Sequence, residues 1–275
     1  MTTRPRSPAS WRRGLFFVRR FRHFPCLIYR LVLPAIFLVG PDLYSLNNHE
    51  NEYESVMAKA PVVEENDLRR LLKVTGVSGE CPIRNIALVY VLYGTGLMLT
   101  EVASITTWDY LTEKGLVRDK SEVRAEIAYN SKSRALYWSN PKVTNAIDSY
   151  LAERVRLGHG LTARKAAFRG LDPDTPLFRR GDGQPYQLIQ RKTSTGALSY
   201  SCDSLSQLYR KLHAQAGILG ATALSGRRTF AVRLYRKGFD LKHICELLGH
   251  SSISSTKALC DSDPIKLGTL VAGII

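Results

Sequence analysis

The sequence predicts a mostly helical α+β domain with a small antiparallel sheet. In most segments after residue 60, apolar residues recur at the three- and four-residue intervals that are typical of amphipathic helices. The helices predicted in this way cover residues 64–73, 83–93, 141–156, 204–216, 227–237 and 241–248, and a further helix follows Ser252. One stretch instead alternates polar and apolar residues on both sides of a short turn, at residues 124–130 and 133–138, and this pattern predicts a β-hairpin.

Several helix ends carry recognisable local signals. Pro82 suits the first turn of a helix, where its missing N–H costs nothing. Asp240 and Ser252 are placed to cap the two helices that follow them, and Gly249 ends the first of these. Glycine and polar residues predominate over residues 178–201, which predicts a loop there.

Composition favours a polyanionic partner. The 275 residues include 39 Lys and Arg against 24 Asp and Glu, which gives a formal net charge of +15 and a pI near 9.8. Such a balance is typical of proteins that bind nucleic acid or an anionic membrane, although a basic domain with no such partner is the plainer alternative. The five cysteines form no CxxC pair, so neither a zinc site nor a disulfide framework is indicated, and a reducing cytoplasm fits best.

The first 56 residues differ from the rest of the chain. They carry many arginines and no acidic residue before Asp42, and an apolar run at residues 25–40 follows the basic part. A membrane-spanning helix needs about 20 mostly apolar residues, whereas this run is shorter, contains two prolines and is interrupted by Arg30. We therefore interpret residues 1–56 as an extension outside the fold, with a membrane anchor as the alternative, and residues 57–275 as the domain.

Three short motifs carry a resemblance to a known family. They read GTGLM at residues 94–98, LSGRRTFA at residues 224–231 and LLGHSSISST at residues 247–256, and Glu101 follows the first of them. Together they resemble the catalytic domain of the tyrosine recombinase (phage integrase) family over about residues 60–265. The resemblance implies a helical domain with a small antiparallel sheet around residues 105–137.

The chemistry of that family is a phosphoryl transfer. A tyrosine attacks a DNA phosphate, two arginines hold its non-bridging oxygens, a lysine protonates the leaving oxygen and two histidine-type positions assist. Carried over position by position, the resemblance assigns the second arginine to Arg227, the second histidine to His250 and the lysine to Lys132, in the predicted turn.

Three positions depart from the family pattern. Met98 stands in place of the first arginine, Leu224 in place of the first histidine and Leu259 in place of the nucleophilic tyrosine. We therefore expect a DNA-binding member of the family, linked to site-specific recombination or to integration of a mobile element, that is unable to cleave DNA by itself.

The candidate DNA contacts are basic residues near these motifs: Arg227, Arg228, Lys132 and Arg134. A purely structural role for Arg227 and His250, and a solvated turn for Lys132, are the alternatives. Two other functions stay open: an active recombinase with another nucleophile or a partner subunit, and a helix-turn-helix DNA-binding protein over residues 227–248.

The expected partners are DNA and an active recombinase, with self-association through the apolar C-terminal tail as a further possibility. No metal, small-molecule cofactor or membrane partner is expected.

Overall fold

The fold is known for most of the chain after the extension. A computed structural model describes residues 59–192, 196 and 198–261, all of which lie in the unit Ala58–Ile275. The predicted extension, with its apolar run at residues 25–40, and the predicted C-terminal tail lie outside the described residues.

Helices are the main secondary structure of the described chain, which confirms the predicted fold class. The helices are α1 (Glu65–Val77), α2 (Pro82–Thr95), α3 (Leu99–Ser104), α4 (Thr107–Tyr110), α5 (Pro141–Leu157), α6 (Asp203–Gln215), α7 (Ala223–Arg236), α8 (Leu241–Leu248) and α9 (Ile253–Cys260). Two antiparallel hairpins complete the fold, β1 (Lys120–Val123) with β2 (Arg134–Tyr137) and β3 (Ile189–Lys192) with β4 (Leu198–Ser201).

Local signals set several of these helix ends as predicted. The side chain of Asp240 accepts a hydrogen bond from Lys242 N at the start of α8, and that of Ser252 accepts one from Ser255 N at the start of α9. Gly249 ends α8 with a φ of 68°, in the left-handed region that favours glycine. By contrast, α7 begins at Ala223 rather than at the predicted residue 227.

Helix α2 is the centre of the main core. It packs against α1, α5 and α7, and its residues Ala87, Leu88, Val91 and Leu92 are at most 1% exposed. A helix that is apolar on all sides is one that its neighbours surround. Because α2 is buried, packing fixes the position of its C-terminal end.

A second, smaller cluster holds the last three helices together. Ala231 of α7, Ile244 and Leu248 of α8 and Cys260 of α9 are all buried against one another. The two motifs at residues 224–231 and 247–256 therefore belong to one packed unit.

The first hairpin is displaced from its predicted position. Its second strand agrees with the prediction, but β1 pairs Lys120 with Tyr137 and Val123 with Arg134, so the predicted first strand at residues 124–130 is wrong. That segment forms turns in which Ile127 N and Ala128 N both donate to the carbonyl of Arg124. The apolar side chains of these turns pack against the core. The segment therefore alternates polar and apolar residues although it is not paired with another strand.

The second hairpin lies inside the predicted loop at residues 178–201. Every residue of β3 is exposed, and β4 is exposed except at Ser201. Strand β3 does not alternate, and the alternation of β4 marks no core face, because neither face of this hairpin is buried. The loop prediction is wrong over these two strands.

Candidate functional site

Arg227 is the buried cation of the candidate site. It lies on α7 and is 5% exposed, and its Nη1 and Nη2 donate to the carbonyls of Gly96 and Leu248, each at 2.6 Å. The guanidinium carbon also lies 5.0 Å from the centre of the Tyr129 ring. Burial lowers the pKa of Arg227, and the Glu101 carboxylate opposes that shift. The contacts fix the guanidinium between the end of α2 and the end of α8.

His250 follows the glycine that ends α8. Its backbone N–H donates to the carbonyl of Cys245, and its Nδ1 lies 2.8 Å from the hydroxyl oxygen of Thr256 on α9. Burial, followed by the charges of Arg227 and Arg134, lowers the pKa of His250 to about 4. The imidazole is therefore neutral at neutral pH and is held by its hydrogen bond with Thr256.

A buried ion pair between Arg134 and Glu101 stabilises the structure next to Arg227 and His250. Arg134 of β2 donates through Nη1 and Nη2 to the two carboxylate oxygens of Glu101, at 2.7 and 2.6 Å, and both side chains are at most 4% exposed. Glu101 Oε2 also accepts from the backbone N–H of Met98 at 2.7 Å, and Arg134 Nε donates to the carbonyl of Leu247. The pair thus connects α3, β2 and α8 behind the site.

A cleft of about 450 Å³ brings the motif positions together. Arg227 and His250 both line it, and so do Met98, Leu224 and Leu259. The three positions that depart from the family pattern therefore face the same space as the two that keep it. A larger neighbouring cleft of about 660 Å³ shares Met98, Leu224 and Arg227 with the first and continues toward β4 and α6.

Tyr129 completes the wall of this cleft and was missed by the sequence analysis. Its hydroxyl donates to the carbonyl of Gly249 at 3.0 Å, next to Asn130, whose side-chain amide donates to the same carbonyl. The sequence around Tyr129 gives no signal of its role, because its hydrogen-bond partner lies about 120 residues away in the chain. The family resemblance was the one signal that could have indicated this segment.

Lys132 is exposed in the loop between β1 and β2, as predicted from the sequence. Its backbone N–H donates to Asn130 Oδ1, and it is not one of the described residues that line the Arg227 cleft. The side chain is near the site in the fold but is not fixed within it.

Three of the four candidate DNA contacts, Arg227, Arg228 and Arg134, are buried. Arg228 is 6% exposed and donates to the carbonyls of Ala60, Leu259 and Asp261, while Arg134 is 7% exposed and paired with Glu101. Their contact with DNA stays a prediction, and the geometry favours a supporting role for both.

Comparison with known proteins identifies the family. The model described as the phage integrase family matches residues 61–264, well over half of the chain. The chain belongs to the phage integrase family. The match contains every helix and strand described above.

Curated relatives agree with this membership. The chain is 27% identical over 195 residues to tyrosine recombinase XerC of Bacillus licheniformis, which covers 70% of this chain and 54% of the relative. It is 31% identical over 182 residues to XerC of Rickettsia typhi, which covers 64% of this chain and 46% of the relative. The chain thus spans about half the length of the curated relatives that it matches.

Solved structures share the fold. The XerA recombinase matches with a TM-score of 0.56 and 22% identity over 78% of this chain and 65% of its own. The XerH site-specific recombinase, in a post-cleavage complex with a palindromic difH substrate, matches with a TM-score of 0.53 and 18% identity over 78% of this chain and 53% of its own.

Two kinds of feature are absent from the part of the chain that the structure describes. No helix there has the length and apolarity needed to span a bilayer. Within the same ranges, no group of three or more His, Cys, Asp or Glu side chains is placed to bind a metal ion.

Proposed function

We propose that this chain binds DNA at the Arg227 cleft and does not cleave DNA by itself. The observation that carries this proposal is the composition of the cleft, where Arg227 and His250 share the space with Met98, Leu224 and Leu259. The first two residues suit a phosphate, and the other three have no group that can attack, protonate or charge-stabilise one.

Phosphate binding is supported by the geometry of Arg227. A guanidinium has five N–H donors in a planar fork that matches two phosphate oxygens. Gly96 and Leu248 accept from one N–H each, which fixes the group in place and leaves other donors for a ligand. A charge that is already held in position loses little conformational entropy when a phosphate binds.

The absence of cleavage is supported by the residue at position 259. Covalent catalysis needs a nucleophile, and the leucine side chain has none. Replacement of an arginine by Met98 removes a donor to the transition state as well, and loss of one such donor typically lowers the rate by about 10²–10³-fold. The nucleophile is the decisive loss, because without it no covalent intermediate forms.

The biological setting follows from the relatives. XerC is named as a tyrosine recombinase and XerH was solved with a DNA substrate, so we propose site-specific recombination or integration as the process and an active recombinase as a partner. We propose residues 57–275 as the catalytic-domain-like unit and residues 1–56 as an extension to it. Among the described residues, Cys81, Cys202 and Cys245 are free thiols, which supports a reducing cytoplasm as the location.

A second candidate keeps the cleavage activity. Tyr129 places a phenol hydroxyl in the same cleft as Arg227 and His250, as Ser251 and Ser255 place aliphatic hydroxyls there. We take Tyr129 as the candidate replacement because the family uses a phenol oxygen as its nucleophile. In this alternative the Tyr129 oxygen loses its proton and bonds to the DNA phosphorus. The bond between the phosphorus and a deoxyribose oxygen breaks, and that oxygen takes up a proton as it leaves.

A covalent-trapping assay separates the two candidates. The unmodified chain, Leu259→Tyr, and Leu259→Tyr with Met98→Arg would be incubated with suicide DNA substrates made from the flanks of the gene. Protein–DNA adducts would be scored on a denaturing gel. We expect no adduct with the unmodified chain and an adduct with the doubly substituted chain, because the family geometry around Arg227 is kept.

Tyr129→Phe provides the matched control. It retains the ring against Arg227 and removes only the hydroxyl. An adduct that the unmodified chain forms and Tyr129→Phe does not would replace the first candidate by the second. An adduct that both of them form would contradict both candidates and require mapping of the linked residue.

A further inference from the structure

A second basic cleft lies at the opposite end of α2 from the Arg227 cleft. It has a volume of about 380 Å³, and its lining includes Cys81 and Arg84 at the start of α2, Arg154 and Arg156 of α5, and Arg180. Helix α2 has 14 residues, which at 1.5 Å per residue separates its two ends by about 20 Å. The two clefts therefore serve different ligands or different parts of one ligand.

The charge of this second cleft is positive. Its lining contains four arginines and His159, against the two carboxylates of Glu80 and Glu153. Glu153 is paired with the exposed Arg156 at 2.7 Å. Arg180 is likewise paired with Asp182 at 3.1 Å. The remaining balance, Arg84 and Arg154 against Glu80, favours an anion, since guanidinium groups bind carboxylate and phosphate through paired N–H donors.

Arg154 adds a charge to the wall of the cleft that no carboxylate neutralises by contact. It is 1% exposed, and it donates to the carbonyls of Leu177 at 2.9 Å, Pro176 at 3.2 Å and His159 at 3.3 Å. Burial lowers the pKa of Arg154 to about 10, so the group stays protonated at neutral pH. The charge of Asp172 acts on Arg154, but the hydrogen bonds of Arg154 in the described chain go to carbonyl and hydroxyl oxygens, so the buried cation raises the electrostatic potential of the adjacent space.

Arg179 lies beside Arg154, outside the lining of the cleft. Its Nε is buried and has no hydrogen-bond partner in the described part of the chain. A Cβ built on Gly160 would lie 3.1 Å from that Nε and 2.6 Å from Arg154 Nη2, which shows that the two guanidiniums meet at this glycine. Arg179 Nη1 donates to the carbonyl of Gly183, so this residue adds positive charge beside Arg154 rather than a donor that faces the cleft.

N–H donors of Arg84 and of the first turn of α2 lie at the floor of the cleft. Arg84 uses Nε and Nη2 for Asn85 Oδ1, and its Nη1 lies 3.7 Å from the point where a Cβ on Gly181 would stand. Cys81, which precedes α2, provides no side-chain cap for the first turn of that helix. Uncapped N–H groups at a helix start favour an anion beside them.

We propose that this cleft, built around Arg84, Arg154 and Arg180, binds a phosphate group. The phosphate belongs either to a free phosphorylated small molecule or to the DNA backbone beyond the Arg227 cleft. The volume of the cleft is in the range that small-molecule sites have, roughly 300–1,000 Å³.

The test is isothermal titration of the whole chain with sodium pyrophosphate at constant ionic strength. We expect saturable binding, and we expect Arg84→Gln with Arg180→Gln to weaken it by about tenfold or more, because two charge-assisted donors are lost. Gly181→Val fills the floor of the cleft without changing any charge, and we expect the same loss. The control, Arg69→Gln with Arg191→Gln, removes two exposed arginines elsewhere and is expected to bind as the unmodified chain does.

Duplex DNA distinguishes the two sources of phosphate. If the cleft variants lose affinity for a short duplex together with affinity for pyrophosphate, the ligand is the DNA backbone; if duplex binding is unchanged, it is a free phosphorylated molecule. Heat that does not saturate, or an equal loss in the control, would overturn the proposal. Because the Arg227 cleft can also bind pyrophosphate, each titration is repeated in an Arg227→Ala background. Binding there that Arg84→Gln with Arg180→Gln leaves unchanged would overturn the proposal, whereas a loss caused by Arg227→Ala alone bears on the Arg227 cleft.

Discussion

The guanidinium of Arg227 is held by two carbonyls that come from the ends of different helices. Gly96 follows α2 and Leu248 ends α8, and each accepts a 2.6 Å hydrogen bond from Arg227. The carbonyls carry partial negative charge, as helix C-termini do, and so stabilise the buried cation. A bound phosphate would add full negative charge on the side of the guanidinium that faces the cleft.

Removal of Arg227 tests whether that side of the guanidinium contacts DNA. We expect Arg227→Ala to weaken binding of duplex DNA modestly and to reduce the slope of log K against log salt by about one unit, because one phosphate contact is lost. Arg227→Lys keeps the charge and is expected to keep the slope. Fluorescence anisotropy at several salt concentrations measures both.

The outcome is interpreted against folding. Loss of the two carbonyl contacts also destabilises the chain, so the melting temperature of each variant is measured first, with Arg69→Ala as an exposed control. A folded Arg227→Ala chain with an unchanged slope would assign Arg227 to the structure alone.

At the scale of elements, one ion pair connects three of them. Glu101 lies on α3 and Arg134 on β2, and Arg134 also donates to the carbonyl of Leu247 on α8. The same carboxylate accepts the backbone N–H groups of Met98 and Tyr129. The pair therefore fixes the positions of the elements that line the Arg227 cleft.

Disruption of one partner leaves the other buried without its counter-charge. We expect Glu101→Gln to lower the free energy of unfolding by about 3–5 kcal/mol, which is the usual effect of breaking a buried pair. Urea unfolding followed by circular dichroism measures the change. The control is Glu153→Gln on α5, which breaks the exposed pair with Arg156 and is expected to leave stability nearly unchanged. Equal effects in the two variants would show that burial adds nothing to the Glu101 pair.

The elements that sequence predicted well are those with local determinants. Helices α8 and α9 begin at Asp240 and Ser252 because each side chain caps the turn that follows it. The segment at residues 124–130 was mispredicted as a strand because its partners are distant. There, Tyr129 N donates to Glu101 and the Tyr129 hydroxyl donates to Gly249. No residue close to Tyr129 in the sequence indicates these hydrogen bonds.

The same distinction applies to the candidate site. Arg227 and His250 stand in contiguous motifs and were found from them, whereas the ring of Tyr129 against Arg227 results from tertiary packing alone. The apolar residues Met98 and Leu259 were recognised as departures from the family pattern. Their presence in one cleft with Arg227 required the fold.

At the scale of the whole molecule, the segment that enters the domain is tied to its C-terminal helices. Val63 N donates to Thr229 Oγ1 on α7 at 2.9 Å, and Arg228 donates to the carbonyl of Ala60 at 2.7 Å. Glu64 pairs with Arg236 at the far end of α7. The start and the end of the described chain thus stabilise one another, and residues near both of them line the Arg227 cleft.

A buried histidine connects α2 and α6 across the core. His213 is 0% exposed, with Nε2 at 2.6 Å from the Tyr93 hydroxyl and Nδ1 at 2.7 Å from the carbonyl of Tyr209. Because a carbonyl only accepts, Nδ1 carries the proton and Nε2 accepts from Tyr93. The neutral ring therefore satisfies both partners, and burial lowers the pKa of His213.

This lowered pKa predicts that acid destabilises the fold. The unfolded chain binds a proton at His213 near pH 6.5, whereas the folded chain resists protonation, so the contribution is complete above that pH and is lost as the pH falls toward the folded value. We expect His213→Gln to reduce the decline in unfolding free energy between about pH 7 and pH 5, and exposed His243→Gln to leave it unchanged. His250, with its pKa lowered to about 4, contributes in the same direction and keeps part of the decline in both variants. A decline in His213→Gln as steep as in the unmodified chain would exclude His213 as its source and leave the carboxylates and His250.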